Sequence, residues 1–152
     1  MKKILFIFIL SAILSSCDND SSHTEDKSIP DLLIEGSPWV YNSTEIIEIT
    51  QNSTPPTTEE ELEQLIDNAQ QYLTFKFYQN GTAEICTSEI QNFFSVDYII
   101  NTEEQSVEFI DDRFYTLDEI EVTEDKFTYT VDLLYGLSIN NGVEFKAKLI
   151  LK

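Results

Sequence analysis

Few side chains here have the types and spacing needed for bond-making chemistry. The only histidine, His23, stands in a polar stretch near the N-terminal end. The remainder of the chain therefore has no imidazole for a Ser-His-Asp triad, a Cys-His pair or a His-rich zinc site. The four glycines, Gly36, Gly81, Gly136 and Gly142, are too dispersed to cradle a phosphate, and no nucleophile elbow is present. Carboxylates are abundant, with 28 Asp and Glu. Glycoside hydrolysis needs two of them in a defined pair, and nothing in the sequence marks one pair out from the others. Asp111-Asp112 with Asp118, Glu119 and Glu121 form a candidate weak Ca²⁺ cluster, set against the plainer reading of a solvated rim. They lack the spaced ligands, glycine and terminal Glu of an EF-hand loop. The expectation is a protein that is not an enzyme, with no catalytic residue, no metal site and no cofactor.

The residue whose setting does specify chemistry is Cys17. Lys2 and Lys3 give a positive start, Ile4–Leu14 is apolar but for Ser11, and Leu14-Ser15-Ser16-Cys17 closes the segment. Charged, apolar and then small residues is the layout of a secretory signal peptide, and the run is shorter than the roughly 20 residues that span a bilayer. The closing four residues resemble a bacterial lipobox. That resemblance implies cleavage before Cys17, a diacylglycerol on its sulfur and an acyl chain such as palmitate on the new amino end. More than one chain makes such an attachment stable. The competing reading is an ordinary signal peptide followed by chance by a thiol.

Cleavage there would leave 136 of the 152 residues, enough for one domain with a real core and a tether. Loss of Lys2 and Lys3 takes the formal charge from −19 to −21. Such a chain repels nucleic acid and anionic surfaces, so nucleic-acid binding is excluded as a function class, while a basic protein partner would be attracted. With Cys17 acylated, Cys86 has no partner for a disulfide within the chain. It falls in a predicted strand, where a free cysteine is ordinarily core filler.

Residues 17–29 are Ser- and Asp-rich and read as a flexible tether between the signal peptide, 1–16, and a domain spanning 30–152. Asp18-Asn19-Asp20 resembles the acidic stretch that follows the anchor cysteine in surface-exported lipoproteins of Bacteroidota-type bacteria; an ordinary solvated tether is the alternative. Pro30 to Pro38 leads into the domain without a predicted element. Thr58-Glu59-Glu60-Glu61 has capping-box spacing, and Leu62, Leu65, Ile66 and Ala69 follow on one helical face, which predicts one short helix over 59–71.

Elsewhere the apolar period is two, as in antiparallel sheets with one wet face. The predicted strands are 39–50 (broken around Asn42–Thr44), 72–78, 82–88, 92–100, 106–110, 116–123, 127–134 and 143–151. In the hairpin at Asn80-Gly81 a two-residue loop would oppose Phe77 to Glu84. A three-residue loop with left-handed Gly81 pairs Phe77 with Ala83, Phe75 with Ile85 and Lys76 with Glu84, and this register is expected. Eight antiparallel strands in chain order close into an up-and-down barrel, which removes exposed edges and encloses side chains or one small ligand. The fold class expected is all-β with one short helix.

Trp39 near the domain start, the helical excursion, Leu73-Thr74-Phe75 through Asn80-Gly81-Thr82, Phe94–Ile100 and Tyr115–Tyr129 together resemble the small lipocalin-like lipoproteins of Bacteroidota. The resemblance covers most of Trp39–Lys152. The family's Gly-x-Trp opening stands here as Gly36-Ser37-Pro38-Trp39, one residue longer. The resemblance implies a calyx-like barrel and carries no functional residues with it.

The ten Phe and seven Tyr allow a ligand-lined cavity, but core filling is the expectation for Phe75, Phe77, Phe94, Phe109, Phe127, Tyr129 and Phe145. Tyr135 and Leu137, placed in the last long loop, are candidates for partner contact. Two functional readings stand. One is an envelope lipoprotein, anchored through Cys17 to the outer membrane on its periplasmic or surface-exposed face, whose barrel binds a small apolar or amphipathic ligand. The other is an accessory or inhibitor-like lipoprotein whose acidic exterior meets a basic protein. An open mouth of several hundred cubic ångströms favours the first, and a barrel filled with interlocked aromatics favours the second.

Overall fold

The computed structural model describes residues 27–89, 92–135 and 142–152. Ten elements follow in chain order: α1 (Ile29–Glu35), β1 (Trp39–Gln51), α2 (Glu59–Gln70), β2 (Thr74–Phe77), β3 (Thr82–Cys86), β4 (Phe93–Asn101), β5 (Ser106–Phe109), β6 (Asp118–Val122), β7 (Phe127–Tyr135) and β8 (Val143–Leu151). The eight strands form one antiparallel sheet in the order β5-β4-β3-β2-β1-β8-β7-β6, so strands consecutive in sequence are neighbours except β5 and β6, which stand at its two ends, and β8 returns to β1. A bridge between Val107 and Leu117 joins the two outermost strands and nearly closes the barrel. This is the up-and-down barrel expected from the alternating strands, and it is consistent with the lipocalin-like fold that the resemblance implies. No described helix is long and apolar enough to cross a membrane.

The β2–β3 hairpin has the three-residue loop. Phe77 pairs with Ala83, Lys76 with Glu84 and Phe75 with Ile85. Gly81 adopts φ +81°, and the Asn80 carboxamide oxygen accepts from the Thr82 amide at 3.1 Å and its hydroxyl at 2.8 Å. The register puts Phe75, Phe77, Ala83 and Ile85 inside together, where a slip of one residue would have turned them all to water.

β1 is continuous through Asn42–Thr44, where a break was expected. The chain absorbs the irregularity as register shifts against β8, at Tyr41/Ser43 and twice further along. Such bulges bend a strand and increase its twist. The bent β1 pairs with β2 only at Trp39 and Val40 and gives the rest of its length to β8. α2 covers β1. Its capping box is formed, with the Thr58 hydroxyl accepting from the Glu61 amide at 3.2 Å and the Glu61 carboxylate accepting from the Thr58 amide at 2.8 Å. Of the four apolar positions on its predicted face, Leu62 and Ile66 are buried, while Ala69 is exposed.

A second helix, α1, corrects the expectation of one. Ser28 and Asp31 make its capping box and Pro30 occupies its first turn, a position where a missing N–H does no harm. Ile29, read as the tether's last residue, is its first residue. Leu33 of α1 is fully buried, and its carbonyl accepts from the Trp39 indole at 2.8 Å. α1 packs against β6 and β2 and closes the end of the barrel where β1 begins. Gly36 lets this happen. A Cβ on it would lie 2.1 Å from the Trp39 ring, so the longer Gly36–Trp39 spacing still places a glycine under the tryptophan.

The interior is aromatic. Phe127 packs at 5.8 Å from Trp39, 6.0 Å from Phe77 and 6.3 Å from Phe75, and Phe77 packs edge-on to Tyr98 at 5.1 Å. Such tilted and edge contacts suit the ring quadrupoles. Outside, Lys146 meets Glu119 at 2.6 Å, Lys148 meets Glu121 at 3.8 Å and Lys76 meets Glu84 at 3.7 Å. Lys76 and Glu84 are directly opposite on the polar faces of β2 and β3, whereas Lys146 and Lys148 reach from β8 past β7 to β6.

Candidate binding site at the open end of the barrel

At the end opposite α1 the connections between strands surround a half-open cavity of about 240 Å³. Alternation along β2, β3 and β5 supplies Phe75, Ile85 and Phe109 to its floor, with Leu73 and Leu117 from the residues just before β2 and β6, all nearly inaccessible to solvent. Its polar rim is Gln70 from the end of α2, Thr87 after β3, and Arg113 and Tyr115 from the β5–β6 connection. Two larger depressions, of about 280 and 410 Å³, are more open to solvent.

Arg113 is the chain's only arginine. Its Nε lies 2.9 Å from Oδ1 of Asp111 and its Nη2 lies 2.6 Å from Oδ2, a bidentate clasp that fixes the guanidinium plane. The clasp holds the Asp111 carboxyl down at about 2. The guanidinium stands 5.7 Å from the Phe94 ring and 5.8 Å from the Phe114 ring, within reach of cation–π attraction. Phe114 also packs edge-on to Phe109 at 5.8 Å, which links the rim to the floor.

Tyr115 and Tyr129 end beside each other, each influencing the other's ionisation. Tyr115 is 45% exposed along its flank, yet burial around its hydroxyl raises its pKa. Tyr129 is wholly buried, and its hydroxyl makes no hydrogen bond among the described residues. Burial pushes its pKa well above the ordinary 10. It is therefore a neutral donor held inside an aromatic core.

The cavity takes up few of the sequence candidates. Cys17, His23 and Leu137 lie outside the described residues. Cys86 is buried, with its thiol 3.4 Å from the Ser88 carbonyl oxygen, as core filler should be. The acids of the candidate cation cluster are drawn apart by bases. Asp111 is held by Arg113, Glu119 by Lys146 and Glu121 by Lys148. No group of three metal-ligating side chains occurs among the described residues. Tyr135 is the last residue of β7, paired with Val143, and is half exposed there rather than in a loop.

Six of the seven aromatics expected in the core are buried. The exception is Phe94, 42% exposed. It has the inward parity of Val96 and Tyr98, but it stands at the mouth, where no further layer covers it. Sequence reasoning missed Arg113, Phe114 and Tyr115. The available signal was the only arginine of a strongly acidic chain, directly followed by two aromatics. No family model matches the chain, and no curated protein and no solved structure matches it.

Proposed function

We propose that the protein is a lipid-anchored binding module of the bacterial cell envelope, a lipocalin-like lipoprotein of Bacteroidota type that performs no covalent chemistry. Its barrel takes a small apolar or amphipathic molecule at the open end, while Cys17 carries the acyl anchor. The observation that carries this reading is the cavity of about 240 Å³, with an apolar floor and a rim of Gln70, Thr87, Arg113 and Tyr115. An apolar recess with a few convergent polar groups is how small-molecule sites are built. Its volume lies below the roughly 300–1,000 Å³ of drug-sized sites, so the ligand is compact, or only one end of a longer molecule enters.

The second reading, an acidic lipoprotein that binds a basic protein, also has support. The centre of the barrel is filled by interlocked rings, and five bases, Lys27, Lys76, Arg113, Lys146 and Lys148, are already paired with acids. The acid excess stays unneutralised. A partner drawn by it would associate more slowly as salt rises, since exposed charges are screened beyond about 8–10 Å at physiological ionic strength.

Mass spectrometry of small molecules released from protein purified out of its native membrane, run beside affinity capture from the same membrane, separates the two. One defined small molecule at near-stoichiometric level supports the binding module. An enriched basic protein with salt-sensitive capture and no small molecule overturns it.

A further inference from the structure

The cavity has a chemical polarity beyond its apolar floor. Tyr129 keeps a buried hydroxyl with no hydrogen-bond partner among the described residues, a condition that ordinarily disfavours a fold by about 1–3 kcal/mol. The polar group beside it is the phenol of Tyr115, and Tyr115 lines the cavity. A small movement of either ring as the cavity fills lets Tyr129 donate to the Tyr115 oxygen, which leaves the Tyr115 O–H as the donor available to an occupant. The site therefore offers its occupant a hydrogen-bond donor backed by a second one.

The charge preference follows from the same wall. Arg113 is the only cation among the lining residues, and the Asp111 carboxylate that clasps its Nε and Nη2 neutralises its charge, so its remaining Nη1 donors bring no net positive charge to the cavity. An anionic occupant would enter an acidic molecule without a free positive partner and would leave water for a floor of Phe75, Phe109 and Leu117, where an unpaired charge is costly. The flat surfaces at the entrance, Phe94, Phe114 and the fixed Arg113 plane, favour a flat occupant. An apolar cavity of about 150 Å³ accepts benzene, so 240 Å³ suits about two fused rings.

Building on the binding-module reading, we infer that the site selects a neutral, planar, compact molecule carrying an oxygen acceptor, a phenol- or quinone-like compound, with Tyr115 as the recognising donor and Tyr129 as the residue that positions it. The test measures binding of 2-naphthol, naphthalene and 2-naphthoate to the full-length protein and to its Tyr115→Phe and Tyr129→Phe variants, by calorimetry and ligand-observed NMR. The expected order is 2-naphthol tightest, naphthalene about five- to tenfold weaker and 2-naphthoate weakest, by the usual worth of one hydrogen bond. Tyr115→Phe should reduce 2-naphthol binding to the naphthalene level, Tyr129→Phe should lower it about two- to threefold, and neither should move naphthalene. Far-UV circular dichroism establishes that both variants are folded. Equal binding of naphthalene and 2-naphthol, tightest binding of 2-naphthoate, or an unchanged preference in Tyr115→Phe overturns this inference while leaving the cavity a binding site. Failure of all three probes overturns this inference, while the binding-module reading is decided separately by the small molecules released from the purified protein.

Discussion

Val107 and Leu117 exchange two backbone hydrogen bonds, each 2.9 Å long, and this reciprocal pair forms the bridge between the strands at either end of the sheet order. One further bond, from the Ile120 amide to the Gln105 carbonyl at 2.8 Å, supports it. Gln105 and Glu119, the described non-glycine residues at positive φ, both sit at this seam. By contrast, β7 and β8 are paired along nine consecutive residues.

The seam should therefore open before the rest of the barrel. In native-state hydrogen exchange the Leu117 amide is expected to exchange at least about tenfold faster than that of Leu149, because local openings break few bonds. Equal protection at the two amides would mean that the seam opens only with global unfolding.

Gly36 and Trp39 are in steric contact through a Cβ that is absent. Gly36→Ala should destabilise the protein by about 1–3 kcal/mol, as overpacking does, because Gly36 has an ordinary φ of −77° and the effect is steric alone. Trp39 is the only tryptophan, so a shifted emission maximum together with a lowered thermal midpoint reads the displacement directly. An unchanged midpoint would show that α1 moves aside freely.

At Gly81 the reason is the reverse. A Cβ there meets nothing within 4 Å, but φ is +81°. Gly81→Val is expected to destabilise by about 1–2 kcal/mol through backbone strain, and Gly81→Asn by less, since Asn tolerates the left-handed region. Urea unfolding with constant m-values measures both. Equal effects would point to lost space rather than strain.

Tyr129→Phe removes the unpartnered hydroxyl and retains the ring contacts with Phe75 at 6.0 Å and Phe127 at 5.6 Å. The ligand-free variant should be as stable as the parent or about 1 kcal/mol more stable in chemical denaturation. A loss of 1 kcal/mol or more would mean that the Tyr129 hydroxyl already donates to Tyr115 in the ligand-free protein.

Asp111 sets a pH limit on the rim. Its folded-state pKa of about 2 lies below the ordinary 3.8 because Arg113 stabilises the carboxylate. The contribution of the pair to stability is therefore full above about pH 4 and is lost as pH falls through about 2. A carboxyl-carbon NMR titration should place the Asp111 midpoint near 2, and Arg113→Gln should return it toward 3.8. A midpoint already near 3.8 in the parent protein would show that the clasp does not persist in solution.

Period-two alternation made the strands legible, and turn chemistry fixed the finer detail. Phe75 and Phe77 had to share a face with Ala83 and Ile85, and only a left-handed Gly81 in a three-residue loop satisfies that. The α1 helix escaped because it has seven residues and its capping box uses Asp31 in place of Glu or Gln, while Pro30 within it and Pro38 just beyond it suggested an irregular lead-in. Phe94 was misplaced because parity says which way a side chain points but not whether a further layer lies above it. The rim was illegible for a related reason. Gln70, Thr87 and Arg113 come from three separate connections, and only barrel closure brings them round one opening.

β1 has neighbours on both sides, β2 over its first residues and β8 along the rest, and the N-terminal chain enters it directly from α1. A pull applied at Lys27 against drag on the body of the protein is thus borne first by the α1 cap wedged over Trp39. It then passes to a central strand loaded in shear along its ladder, so many hydrogen bonds must fail together rather than peel one at a time. Of the two strands at the weak seam, β6 lies under α1 and shares its load, with Lys27 3.5 Å from Glu124, whereas β5 stands apart from it. A barrel held from this side resists along β1 and β8 and gives first where β5 meets the chain before β6.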